Sequence, residues 1–204
     1  NSEMIYSELK TAIRGDSHRE DYTNEVIVRF IAQGESLIAL SLEGYFLEAT
    51  IDEDDRVIDA IYTLPSKVTL MRTVLYNNCP LDQVDETLIA QYRNAEPVAY
   101  CMRDSTILFA GVPPTDAEFK LNYFGMPAAL AEDNDTNNLL NDCRQLYIEA
   151  AQVYLFKRAR NLELSSAMFQ SVQSLIRDIN RKMKKKLGGG QSANAYNVSF
   201  RSSY

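Results

Sequence analysis

Hydrophobic positions along the chain change period twice, and the changes divide it into helical ends and a strand-rich middle. Residues 2–14 carry Ile5, Leu9, Ala12 and Ile13 at helical spacing, with Ser2 as the expected cap and Gly15 as the expected stop. A polar connector at 15–22 precedes a second helix at 23–42. Its stripe is Val26, Ile27, Phe30, Ile31, Leu37, Ile38 and Leu42. Gly34 falls on that stripe. A mid-helix glycine costs about 1 kcal/mol against alanine, so close helix packing is its expected reason.

From residue 45 the period becomes two. Strands are expected at 45–51, 57–64, 68–76, 98–103, 106–110 and 118–124, forming one small antiparallel sheet. A short helix at 84–93 is expected to turn Val84, Leu88 and Tyr92 inward, and the 98–110 pair reads as a hairpin around Asp104-Ser105. Gly125 and Pro127 end the last strand. The polar stretch 131–138 suits a turn that ends in a cap, Thr136 or Asn137, for a helix over 138–160. That helix places Leu139, Leu140, Cys143, Leu146, Tyr147, Ala150, Ala151, Tyr154 and Leu155 on one face. The last helix, 163–187, carries Leu164, Ala167, Met168, Val172, Leu175, Ile179 and Met183. The short link between the two implies antiparallel packing, with the basic end projecting beyond the core.

The resulting fold class is α+β: an antiparallel helical bundle of about four long helices, an inserted antiparallel sheet region and an extended C-terminal arm. The expected division is 1–44, 45–125, 126–187 and 188–204. Gly188-Gly189-Gly190 reads as a swivel. Beyond it, Tyr196, Val198 and Phe200 form a strand-like stripe that suits donation to a neighbour.

Several short pieces, in order, resemble the head-to-tail adaptor (connector) family of podovirus-like tailed bacteriophages. They are Tyr123, Pro127, Leu130, Asp133, Asn137, Leu139-Leu140 and Leu146-Tyr147, preceded by Tyr62-Thr63-Leu64-Pro65, Pro97-Val98-Ala99-Tyr100 and Val112-Pro113-Pro114. The likeness spans roughly residues 20–187. It implies a structural virion protein that forms a homo-oligomeric ring, a dodecamer, under the portal. Such a ring extends the DNA channel, lets genomic DNA pass without specific recognition and gives the tail or nozzle protein its platform. It also implies a place in the neck of a virion assembled in the host cytoplasm, and C-terminal arms that grip the portal.

Charge sharpens this picture. The net charge is −7, yet residues 177–186 hold six bases against Asp178 alone, a local +5, and Arg201 adds one more, so the remainder carries −13. Arg177, Arg181, Lys182, Lys184, Lys185 and Lys186, with Tyr196, Val198, Phe200 and Tyr204 of the arm, are therefore the expected contacts with the portal or a neighbouring subunit. A nucleic-acid binder should be broadly basic, and the cluster lacks interleaved aromatics for stacking on single strands.

Catalytic signals are few. His18 is the one histidine, in a polar connector, with no second imidazole to share a metal. Cys79, Cys101 and Cys143 show no ligand spacing and read as free thiols. Asp52–Asp55 lacks the pattern of a calcium loop. Glu132, Asp133 and Asp135 could in principle form a sugar-hydrolysing carboxylate pair, the alternative of a tail-associated peptidoglycan hydrolase, but turn and cap roles suit them better. No enzyme activity, cofactor or metal is expected. The longest apolar runs fall short of a bilayer span, and the N-terminus lacks the order of a secretory signal.

Overall fold

The computed structural model describes residues 3–51, 61–63, 68–92, 98–104, 106–111 and 118–188. The fold is α+β, with two compact units. One takes the chain up to Tyr45 and again from Pro127, and the other begins at Phe46 and ends at Met126. The expected turn at Asp52–Asp55, the breaks at Pro65 and Pro113-Pro114, and the arm residues Tyr196, Val198, Phe200 and Tyr204 lie outside the described residues.

The helical unit contains α1 (Tyr6–Ser17), α2 (Asn24–Ser41), α4 (Asn138–Asp142), α5 (Arg144–Arg158) and α6 (Leu162–Gly188). The first helix starts later than expected and runs through Gly15. It stops at His18, whose left-handed backbone (φ 52°) turns the chain while its N–H reaches the Gly15 carbonyl at 3.2 Å. The expected helix over 138–160 is two helices, so the four-long-helix count needs correcting. Cys143 (φ −143°, ψ 64°) breaks the path between α4 and α5. Periodicity misses this break because buried apolar spacing continues across it.

The middle of the unit is α5, packed by α1, α2 and α6. Leu146, Tyr147, Ile148, Ala150, Ala151, Gln152, Val153 and Leu155 are all buried, so the helix is covered around most of its girth rather than on one face. Gly34 of α2 meets it: an added Cβ would lie 2.9 Å from the Ala151 backbone N. Arg160 (φ 58°) reverses the chain after α5. Asn161 then caps α6, accepting from Leu164 N at 3.1 Å, and Ser165 donates to the Val153 carbonyl at 2.7 Å.

Two corrections concern α6. Its buried positions are Ser165, Val172, Ile176, Ile179 and Met183, whereas Leu164 is 41% exposed and Ala167 is exposed. The helix also does not project at its basic end. Asn180 donates to the Ser41 carbonyl at 3.1 Å and accepts from Glu43 N at 3.0 Å, and Met183 is buried. The weakly covered end is the first two turns, where Leu162 and Phe169 are exposed.

Among the described residues, the second unit holds two four-stranded sheets rather than one. The strands are β1 (Tyr45–Ile51), β2 (Ile61–Thr63), β3 (Val68–Tyr76), β4 (Cys79–Pro80), β5 (Asp82–Gln83), β6 (Ala99–Arg103), β7 (Thr106–Ala110) and β8 (Phe119–Gly125). The first sheet runs β1-β8-β3-β4 and the second β2-β7-β6-β5, with β5 parallel to β6. The expected hairpin is present as β6 and β7, with Asp104 left-handed at its turn (φ 52°). Met71, Val74, Phe119, Leu121 and Tyr123 of the first sheet share a core with Tyr100, Ile107 and Phe109 of the second. The rings of Phe109 and Phe119 are 4.5 Å apart. On its other face, β6 places Ala99 and Cys101 against Ile89 of α3 (Glu86–Ile89). That helix is far shorter than expected. It is capped by Asp85, which accepts from Thr87 N at 2.9 Å, and continues as a 3-10 turn at Ala90–Tyr92. Ile89 rather than Leu88 is its core residue, and Leu88 is 44% exposed.

Candidate interaction surface

The basic cluster sits on the last three turns of α6, and helical geometry divides it. Lys184 reaches round to Glu43, which follows α2, at 2.9 Å. Arg181 faces Asp178 one turn earlier at 3.5 Å. Arg177 and Lys185 are exposed, one turn before and one turn after Arg181 on the same outward side. Lys182 and Lys186, four residues apart, lie on a different side and help line a groove.

That groove has a cavity volume of about 380 Å³. Leu139, Cys143, Leu175, Ile179 and Met183 line it with apolar atoms, and Tyr45, Asp142, Asp178, Lys182 and Lys186 supply polar ones. The break at Cys143 helps to form it by ending α4 beside α6. Tyr45 donates its hydroxyl to the Asp142 carboxylate. Burial first, and this carboxylate second, push the Tyr45 hydroxyl well above the usual tyrosine range, so it stays a donor. The aspartates are thus engaged by Tyr45 and Arg181, leaving the groove an apolar floor with lysines at its rim. Sequence reasoning identified Lys182 and Lys186 but missed the groove itself. Tyr45, Asp142 and Cys143 are over thirty residues in sequence from the α6 residues that line the groove, Leu175 to Lys186, and no local spacing signals their meeting.

The loop before α4 is a polar network. Asn137 caps α4, accepting from Leu140 N at 2.8 Å, while its amide donates to the Ala128 carbonyl at 2.9 Å and the buried Tyr147 hydroxyl at 3.0 Å. Burial pushes Tyr147 up to about 12. Asp135 accepts from Ala131 N and Glu132 N at 2.8 and 2.7 Å, which holds its carboxyl below the usual range. Asp133 pairs with Lys10 at 2.5 Å, and its carbonyl accepts from Ser7 N. The Asp133 carboxylate and the backbone carbonyls of Asp133 and Asp135, which accept from Ser7 N and Tyr6 N, fasten the loop to α1, whereas the Asp135 carboxylate closes a turn within the loop. A general acid needs a raised carboxyl, whereas that of Asp135 is lowered.

The raised carboxyl of this unit is Glu35 on α2, pushed up by burial and accepting from Leu130 N at 3.3 Å. Its neighbours include Tyr6 and Tyr147, whose hydroxyls its charge helps to raise. The His18 side chain is exposed. Among the described residues no cluster of three His, Cys, Asp or Glu side chains could hold a metal ion, and no helix is long and apolar enough to cross a membrane.

The chain matches the model of the SU10 adaptor protein family over residues 4–197. The chain belongs to this family. It is a phage head-to-tail adaptor family, so the chain is an adaptor-type structural protein of a phage. The match takes in the helical unit, the sheet unit and all six bases of the cluster. A search of curated proteins found no significant match.

Proposed function

We propose that the chain works as a head-to-tail adaptor that assembles as a ring, a dodecamer, beneath the portal in the neck of the virion. The ring extends the DNA channel and presents a platform for the tail or nozzle protein. The observation that carries this reading is the family match across nearly the whole chain. The charge asymmetry supports it, because a basic helix end on an acidic body suits a contact between unlike surfaces, the kind that closes a ring by rotation.

Roles follow for the parts. The bundle of long helices makes the contacts between subunits, and the sheet unit faces the tail. Arg177, Arg181, Lys184 and Lys185, pointing outward on α6, dock on the portal or an adjacent acidic surface. The segment 188–204, with Tyr196, Val198, Phe200 and Tyr204, serves as the gripping arm. DNA passes through the channel without being read. The work is done by interface area and charge, with no reaction required.

The test is the mass of the purified protein alone and mixed with its cognate portal. A defined multi-copy ring on the portal supports the adaptor ring. A protein that ignores the portal sinks it.

A further inference from the structure

The groove beside the end of α6 is apolar on its floor and carries lysines on its rim. A complementary occupant needs an exposed apolar side chain flanked by carboxylates. One corner of the sheet unit has that composition. Leu88 of α3 is 44% exposed and Val98, just before β6, is 48% exposed. Asp82, Asp85 and Glu86 are exposed around them. Asp82 N bonds the Val98 carbonyl at 3.1 Å, and Leu88 N bonds the Asp85 carbonyl at 2.9 Å, so these residues share one small region. Asp85 is held ionised by hydrogen bonds from the Thr87 N–H and hydroxyl. Glu86 is already paired with Arg103, which leaves Asp82 and Asp85 as the outward negative charges.

We propose that successive copies of this chain meet through these two surfaces, with Leu88 of one copy seated in the α6 groove of the next and Asp82 and Asp85 facing Lys182. The contact joins unlike patches, so it repeats from copy to copy and closes where the rotation allows. Of the groove's own carboxylates, Asp178 faces Arg181, and Asp142 accepts from the Tyr45 hydroxyl and keeps its charge, so the acids of the incoming copy are placed at the Lys182 rim and its Leu88 on the apolar floor. Burying Leu88 and Val98 removes two large exposed hydrophobics from water, and the charge pairs fix register more than they add affinity. The proposal rests on the ring reading above and names its interface.

The native Cys143 in the groove allows a direct test. In a Cys79→Ser background, which removes the exposed thiol and leaves Cys101 buried, Leu88→Cys brings a second thiol to the seated position. Mild copper–phenanthroline oxidation of the concentrated protein is expected to give a ladder of disulfide-linked copies on a non-reducing gel. Cys143→Ser should abolish the ladder. Lys182→Glu should slow its formation several-fold, and adding Asp82→Lys to Lys182→Glu should restore the rate. Absence of a ladder overturns the contact, as does a ladder that survives Cys143→Ser or a link formed only within one chain. The mass measurement on portal is independent of this result. A ring without the ladder keeps the ring reading and discards this interface, whereas loss of the ring removes both.

Discussion

Single residues decide how closely the helices approach. Gly34 was readable as a packing glycine, and the structure adds what it packs against: backbone atoms of Ala150 and Ala151, which cannot swing aside. Gly34→Ala gains helix propensity of about 1 kcal/mol but forces α2 and α5 apart, at about 1–3 kcal/mol. A net loss of stability is expected, seen as a lower urea midpoint with an unchanged slope. Asn137 was readable as one of two candidate caps, with Thr136, but its second role was not. Because the same amide satisfies the buried Tyr147 hydroxyl, Asn137→Ala should cost about 2–3 kcal/mol, more than a surface cap.

Glu35 gives a residue-level prediction about pH. Its carboxyl is raised by burial, so the folded state holds its proton more tightly than the unfolded chain. Its contribution to stability is therefore fully present below the ordinary glutamate value of 4.5 and is lost as pH rises through the raised folded value. Glu35→Gln keeps an oxygen for Leu130 N and removes the buried charge. The variant should be more stable than the parent at pH 7, with the difference shrinking towards pH 4, as read from urea midpoints across that range.

At the scale of elements, periodicity found where helices and strands lie and failed where burial is not one-sided. A helix covered on most of its girth has no single apolar stripe, which is why Ile148, Gln152 and Val153 of α5 escaped notice. Conversely, apolar residues at helical spacing were placed inward although Leu164 of α6 and Leu88 of α3 are exposed. The end of α6 shows the same limit. Six bases in ten residues suggest a helix leaving the core, yet one amide, Asn180, ties it to both a donor and an acceptor where α2 ends. Asn180→Ala should speed amide hydrogen exchange over residues 180–188 while exchange in α5 stays slow.

For the whole molecule, the family was legible because its likeness rests on turn and core residues in a fixed order, and these are properties of sequence. The arm at 188–204 is a prediction at this scale. A chain ending at residue 187 should fold with the parent's circular dichroism and thermal midpoint but fail to bind portal. Undiminished portal binding by that truncated chain would remove the arm from the mechanism.

The sequence by itself determined the α+β class, the helical ends around a strand-rich middle, a cap at Thr136 or Asn137 and the concentration of base on the last helix. Each of these follows from local chemistry: side-chain period, backbone preference and formal charge. Only the tertiary structure decided that the strands form two sheets with a shared core, that 138–160 breaks at Cys143, and that Lys182 and Lys186 line a groove with Tyr45 and Asp142. Strand partnership depends on which distant segments meet, and a helix break inside a core leaves the hydrophobic spacing intact. A groove arises from the mutual placement of surfaces, which no single stretch of sequence contains.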